Sequence, residues 1–341
     1  MVVPDIAVVV VTWNSAGVVG GLLDSLAAGL EGLNWQLTVA DNASADETAA
    51  LVERWSDEHP GARCRVVHTG GNLGYAAGIN AALAKSDPYD AALLLNPDIR
   101  LHPGCVRRMY DLIDASQADA RDQAVAPTHP RTGIVVPRIL DEAGNLAHSL
   151  RREPTLLRAL GEAALGARAG RFAPLGELVV DEAAYSRPAV ADWATGAVLL
   201  VSGSCLRDCG PWDESFFLYS EETEYALRAR DRGYLTRLAP QATATHLGGE
   251  SKVSPELWTL LMSNRIRLYR RRHALPASVA YWGAALLRET PRAVLGQQRS
   301  RRAVRTLLSP GRLASPPVSP TAAAAGTDTG SPAQAPPDPR D

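Results

Sequence analysis

The 341-residue chain lacks several features that mark large protein classes. It has four cysteines, Cys64, Cys105, Cys205 and Cys209, and no CxxC pair. That spacing does not fit a zinc site, so all four are expected to be reduced thiols of a cytosolic protein. Only Lys85 and Lys252 among the 35 basic residues are lysines, a bias of the kind a GC-rich genome imposes. The net charge of −2 argues against a dedicated nucleic-acid binder. The apolar run Val8-Val9-Val10-Val11 is strand length, far short of the ~20 residues a spanning helix needs. No basic segment followed by a cleavage site opens the chain, so no signal peptide is expected.

Familiar nucleotide and nucleophile signatures are missing too. Where a GxGxxG would follow the first apolar run, Thr12-Trp13-Asn14-Ser15-Ala16-Gly17 stands instead, which argues against a dinucleotide-binding dehydrogenase. There is no GxxxxGK[ST] of a P-loop NTPase and no GxSxG elbow of an α/β-hydrolase. The same hexapeptide has no basic residue, which argues against a nucleotidyltransferase. No internal repeat is present.

What remains is 46% hydrophobic and 21% charged, the balance of a soluble globular protein with a sizeable core. Strand and helix patterns alternate through the first hundred residues. Ile6–Val11 reads as a strand buried on both faces, and Val18, Val19, Leu22, Leu23, Leu26 and Leu30 recur at helical spacing. Leu37–Ala40, Cys64–His68 and Ala91–Leu95 read as further strands. Ser44 and Glu47 form a capping-box pattern for a helix running to about Asp57, Tyr75–Ala84 reads as a third helix, and Pro103 suits the first turn of the next. Such alternation predicts a mostly parallel sheet with helices on both faces, binding ligands beyond the carboxyl ends of its strands. Thr12–Asn14, Asp41-Asn42, Gly70–Gly74 and Asn96–Asp98 all fall at those ends. Further on, 121–130 reads as a loop, Ile134–Ile139 and Ala197–Val201 as strands, 151–190 as a variable insertion, and Glu221–Arg232 and Leu257–Arg272 as helices. From 309 to 341 the chain is Pro, Ala, Ser, Gly and Thr without apolar periodicity, the composition of a disordered tail.

Seven stretches, VVVVTWNS (8–15), VADNASADET (39–48), GGNLGYAAGIN (70–80), LLLNPDI (93–99), WATGAVLLV (193–201), WDESFFLYSEETEYALRARDRGY (212–234) and ATHLGGES (244–251), resemble family 2 glycosyltransferases. The bacterial rhamnosyltransferase branch is the most similar. No single stretch is specific; seven in the family's order across residues 5–270 are. The resemblance implies a GT-A fold over residues 1–256, which is an α/β, Rossmann-like nucleotide-binding sheet flanked by helices, followed by a C-terminal helical extension. It also implies transfer of a sugar from a nucleoside diphosphate with inversion at the anomeric carbon.

A diphosphate leaving group gathers negative charge as the glycosidic bond breaks, and a divalent cation, Mg²⁺ or Mn²⁺, is the expected stabiliser. Asp98 occupies the last position of the family's DxD-type motif; Asn96 replaces its first acid. His246 resembles the family's second protein ligand to the metal. Asp41 resembles the acid that contacts base and ribose, with Thr12, Trp13 and Asn14 edging that pocket; a carboxylate there could also cap the following helix. Asn72 and Gly74 lie on a glycine-bearing loop suited to close approach of a diphosphate, and Asn80 ends the same stretch. Glu221 and Glu224 share one helix face while Glu222 points elsewhere. The family reads Glu-Asp here with the aspartate as base, so Glu222 stands at the base position and Glu221 beside it. Acids at a helix N-terminus can also be simple dipole partners. Trp193 and Gly196 would shape the acceptor side.

By resemblance the donor is dTDP-L-rhamnose and the acceptor a glycan or polyprenyl-linked sugar of cell-envelope polysaccharide. A UDP donor of galactofuranose or an N-acetylhexosamine is the nearest alternative, and a non-catalytic sugar-nucleotide-binding module a more distant one. Between Leu257 and Leu308 there are eleven arginines and one acid, Glu289. With Tyr281 and Trp282 between its basic clusters, this segment (257–308) is expected to meet an anionic membrane surface peripherally, at the inner face of the plasma membrane. A solvated helix packed on the catalytic domain is the plainer alternative.

Overall fold

The computed structural model describes residues 3–122, 130–248 and 254–309. The tail beyond Ser309, expected to be disordered, lies outside the described residues, as do 123–129 of the expected loop. The first half runs β1 (Asp5–Thr12), α1 (Ala16–Gly29), β2 (Asn34–Asp41), α2 (Thr48–Glu58), β3 (Arg63–His68), α3 (Tyr75–Leu83) and β4 (Ala91–Leu95). These strands pair in parallel in the order β3-β2-β1-β4. Both faces of β1 are covered, which is why its sequence is an unbroken apolar run rather than an alternation. Ile6, Val8 and Val10 pack with Val19, Leu22 and Leu26 of α1. Ala7, Val9 and Val11 pack with Ala76 and Ile79 of α3.

Then follow β5 (Ile99–Leu101), α4 (Cys105–Asp122), β6 (Arg131–Leu140), β7 (Leu146–Ala147), β8 (Leu150–Arg151), α5 (Leu156–Leu165), β9 (Ala189–Ala191), β10 (Trp193–Ala194), β11 (Val198–Ser202), α6 (Gly203–Cys209), α7 (Glu221–Asp231) and β12 (Tyr234–His246). The main sheet continues from β4 as β11-β6-β12-β5. Here the pairing is mixed: β11 runs antiparallel to β4 and β6, β12 parallel to β6 and antiparallel to β5. β8 and β10 form a separate antiparallel pair. The expected insertion therefore contributes strands as well as helix. Three helices close the described chain: α8 (Pro255–Arg272), α9 (Leu275–Val294) and α10 (Gln298–Leu307).

Two local expectations are corrected. The Ser44–Glu47 capping box does not form. Asp41, at the end of β2, takes both the Ser44 hydroxyl (2.5 Å) and the Ser44 amide (3.0 Å). The helix then starts three residues late at Thr48, whose amide donates to Asp46. Pro103 lies in the turn before α4, not in its first turn.

Candidate active site

The carboxyl ends of β1, β2 and β4 do meet on one rim. Thr12 Oγ1 donates to Asp41 Oδ1 at 2.9 Å, so the last residues of β1 and β2 are tied across the rim. Asn14, at φ +51°, accepts from the Ala45 amide (2.8 Å), and its own amide donates to Ser44 Oγ (2.9 Å). Asp41 is thereby buried in a shell of neutral donors, while Trp13 projects outward, 42% exposed. Asn42 donates to the Gly74 carbonyl (3.0 Å), which ties the 70–74 loop to the same rim. Gly74 has a requirement of its own: at φ +93°, a Cβ there would collide with the Phe217 carbonyl, to which the Tyr75 amide donates at 2.8 Å. The close approach that requires the glycine here is to protein. Asn72 Oδ1 accepts from that glycine's amide at 3.3 Å. Asn80 is not brought to the rim group. Its amide clamps Trp212 through both backbone groups and donates to Glu214.

Past β4, Asn96 donates its amide to Ala197 O (3.0 Å) and Asp98 turns back toward the end of β12. Asp98 Oδ2 lies 3.2 Å from His246 Nε2, and both side chains are partly open to solvent. Burial opposes ionisation of Asp98. The hydrogen bond and charge of His246, with backbone amides of Asp98 and Gly248, outweigh it and hold the carboxyl below its ordinary range. Gly248 leaves the adjoining space clear: a Cβ there would strike the Asp98 carboxylate and lie 3.7 Å from His246 Nε2. Among the described residues no group of three or more His, Cys, Asp or Glu could hold a metal unaided. One carboxylate and one imidazole beside an open cradle fit a Mg²⁺ or Mn²⁺ that takes its other oxygens from phosphates and water.

The opposite wall comes from the second half of the chain. Glu221 and Glu222 open α7 behind two consecutive non-glycine residues in the left-handed region, Tyr219 (φ +69°) and Ser220 (φ +75°). Such backbone persists only where surroundings over-determine it. Here the buried Asn264 of α8 donates to the carbonyls of Leu218 (3.0 Å) and Tyr219 (3.2 Å). Glu221 is 3% exposed and its Oε2 has no partner. Desolvation, then the charge of Glu222, push its carboxyl well above the ordinary range. Glu222 is partly exposed and also raised, by burial, with Arg151 pulling in the other direction. Gly196 faces Glu222, leaving room where a Cβ would sit 3.5 Å from Glu222 Cβ. Trp193 is fixed by a hydrogen bond from its indole to Arg152 O (3.0 Å).

Two residues at this site escaped the sequence reading. Tyr75 donates to Gly196 O (3.3 Å), and burial, with the charges of Glu221, Glu222 and Asp98, raises its phenol strongly. Its phenol thus meets Gly196, which faces Glu222, and lies within electrostatic reach of Asp98. Asn264 is the other. Tyr75 had only its place after Gly74 as a signal; Asn264 had none, since its partners lie 45 and 46 residues earlier.

The model of the family described as "Glycosyl transferase family 2" matches residues 7–154. Those residues are similar to that family. They carry the rim from Thr12 to Asp98; the Glu221–Glu222 wall and His246 lie beyond them. A curated relative, N-acetylglucosaminyl-diphospho-decaprenol L-rhamnosyltransferase of Mycobacterium tuberculosis, is 29% identical over 219 residues, 61% of this chain and 65% of that protein's length. Two solved glycosyltransferase structures share the fold. The mannosyltransferase PcManGT from Pyrobaculum calidifontis, in complex with GDP-Man and Mn²⁺, has a TM-score of 0.50 at 16% identity, over 90% of this chain and 86% of its own. GalNAc-T7 with UDP, GalNAc and Mn²⁺ has a TM-score of 0.54 at 11% identity, over 90% and 56%. The chain thus carries a GT-A glycosyltransferase fold with C-terminal helices.

Several residues of the basic extension are engaged inside the protein. Tyr281 is buried and stacked on Tyr269 (4.0 Å), and the Trp282 indole donates to Leu307 O. Arg265 and Arg288 pair with Glu162, and Arg265 also with Glu177, inside the protein. Arg271 pairs with Asp213 and Arg272 with Asp231. The Arg265–Arg272 cluster, with the exposed Arg270 apart, serves to pack α8 onto the catalytic half.

Proposed function

We propose that this protein is an inverting glycosyltransferase that moves L-rhamnose from dTDP-L-rhamnose to a polyprenyl-diphosphate-linked sugar in cell-envelope polysaccharide synthesis. The observation that carries the reading is the facing of two unlike walls: Asp41, Asp98 and His246 on one, Glu222 on the other, with Tyr75 within electrostatic reach of Asp98 and Glu222. The decaprenol-linked acceptor named in the mycobacterial relative supports the lipid-linked acceptor, and with it work at the inner face of the membrane. The Mn²⁺ complexes of two fold neighbours support a divalent cation.

In this reading Asp41 accepts from the base or ribose of the donor, beside the Trp13 and Asn14 turn. Asp98 and His246 hold Mg²⁺ or Mn²⁺, which when bound supplies positive charge to the departing diphosphate. Glu222 takes the proton from the acceptor hydroxyl as its oxygen attacks the anomeric carbon from the face opposite the leaving group, which inverts the configuration. A raised carboxyl suits a general base working near neutrality better than an ordinary one. Glu221, buried beside it, is raised by desolvation and by the charge of Glu222, so the pair does not readily carry two charges.

The test is donor hydrolysis by the purified full chain with dTDP-L-rhamnose, UDP-galactofuranose and UDP-N-acetylhexosamines, with and without Mg²⁺ or Mn²⁺. Slow metal-dependent release of dTDP from dTDP-L-rhamnose is the expected result. Preference for a UDP-sugar moves the donor. No release from any donor, with nucleotide binding retained, leaves a non-catalytic binding module.

A further inference from the structure

The outer face of α9 is apolar except for Thr290. Leu275, Val279, Leu287 and Val294 are 66%, 55%, 58% and 77% exposed, with exposed Pro276 and Ala280 on the same side. At 100° per residue these positions fall within one sector less than half the helix wide. The stripe continues onto α5, which packs beside α9 and exposes Leu157, Leu160 and Leu165. The two helices meet at their far ends too: a Cβ on Gly166 would lie 3.9 Å from Arg292. A water-facing helix that is apolar outward marks a covered surface.

Charge selects what covers it. The acids of α5, α9 and α10 are Glu162 and Glu289, and both are turned inward onto arginines. On the outside stand Arg299, Arg301 and Arg305 of α10, leaning on neutral groups: Arg299 over the Trp258 ring, Arg301 on Ala293 O. An apolar α9 face and a cationic α10 are thus neighbours, a combination that suits an anionic lipid interface. At 1.5 Å per residue the 20-residue α9 is about 30 Å long, yet no described helix is long and apolar enough to cross a membrane. The chain beyond Ser309 offers Leu313 and Val318 as its large aliphatic side chains, too few to cover such a stripe.

We infer that α9 lies flat in the headgroup region of an anionic membrane, with α5 beside it and the α10 arginines at the lipid phosphates. This rests on the reading of a lipid-linked acceptor, and it fits the path of the chain. β8, whose Arg151 acts on Glu222, leads within a few residues into α5. A surface seated there would present the acceptor wall to sugars carried on a membrane lipid.

The test is co-sedimentation of the full chain with phosphatidylcholine vesicles, with and without phosphatidylglycerol. Binding should be stronger to the anionic vesicles, weaken with salt, and keep a salt-resistant part from apolar insertion. The variant Val279→Glu/Leu287→Glu/Val294→Glu, altered only at exposed positions, should lose about tenfold or more of that affinity while donor hydrolysis is unchanged. Arg299→Ala/Arg301→Ala/Arg305→Ala should lose the anionic preference alone. No vesicle binding by the parent protein, or binding the triple glutamate variant retains, overturns the inference. So does a dimer that the same variant splits in the absence of vesicle binding, since the face is then an interface between copies. Vesicle binding without hydrolysis of any sugar nucleotide would leave this surface standing and remove the catalytic reading.

Discussion

The two walls of the site are built by different physics. On the donor wall, Asp41 is held by Thr12 and Ser44, and Asn14 by Ser44 and Ala45, all neutral donors or acceptors at the ends of adjacent parallel strands. On the acceptor wall, Glu221 is buried without a partner for Oε2, behind a left-handed turn fixed by a residue from α8. One wall satisfies its carboxylate locally. The other leaves Glu221 Oε2 without a partner and borrows distant structure to hold the turn before it. A binding subsite gains from a saturated anion, whereas a base gains from an anion that still wants a proton.

If the contrast is functional, the metal side should respond most. Asp98→Ala removes the carboxylate of the cation pair, and losing several kcal/mol of charge stabilisation should cut transfer about a thousandfold or more. Full turnover in excess EDTA would break the comparison at its strongest point. Glu222→Gln comes next: it keeps the shape but cannot accept a proton, and transfer should fall about a hundred- to a thousandfold with nucleotide affinity nearly unchanged. Because the native carboxyl is raised, the parent rate should climb with pH through a midpoint above the ordinary glutamate range, and that limb should vanish in the variant. If Glu221→Gln is dead and Glu222→Gln transfers normally, the base is Glu221.

A smaller effect tests the borrowed aim. Asn264→Ala removes two hydrogen bonds from the Leu218–Tyr219 turn without touching either wall. Each is worth about 0.5–1.5 kcal/mol, so kcat should fall about tenfold while nucleotide affinity holds, and Tm should drop by about 2–4 °C for each kcal/mol lost. A merely structural role would lower Tm and leave kcat of the surviving protein intact.

The same contrast explains what the sequence disclosed. Asp41, Asp98 and the parallel strands were legible because strand ends and polar turns are local patterns. The capping box failed because Asp41 outcompeted the helix for Ser44, a choice that depends on where β2 stops. The contact that demands a glycine at 74 was not legible, since the Phe217 carbonyl arrives from 143 residues away by number. Tyr281 and Trp282 point inward and the outward residues are Val279 and Leu287; helical phase alone does not say which face α5 and α8 cover. Asn264 was invisible, because a buried asparagine in a helix has no spacing to betray its partner.

The finest prediction concerns stability and separates Glu221 from its neighbour. Its native carboxyl is raised, so the folded protein holds a proton there that the unfolded chain gives up once pH exceeds the ordinary glutamate value of about 4.3. Between that value and the raised native one, the folded state binds more protons than the unfolded state, and stability falls as pH rises. Glu221→Gln cannot ionise and escapes that loss. Tm of the variant should match or slightly trail the parent at low pH, then exceed it by about 2–4 °C per kcal/mol of relieved strain as pH approaches neutrality. The readout is the Tm difference between the two proteins across the acid-to-neutral range. A difference that stays flat would mean that Glu221 finds a partner on folding, and that the acceptor wall is as satisfied as the donor wall.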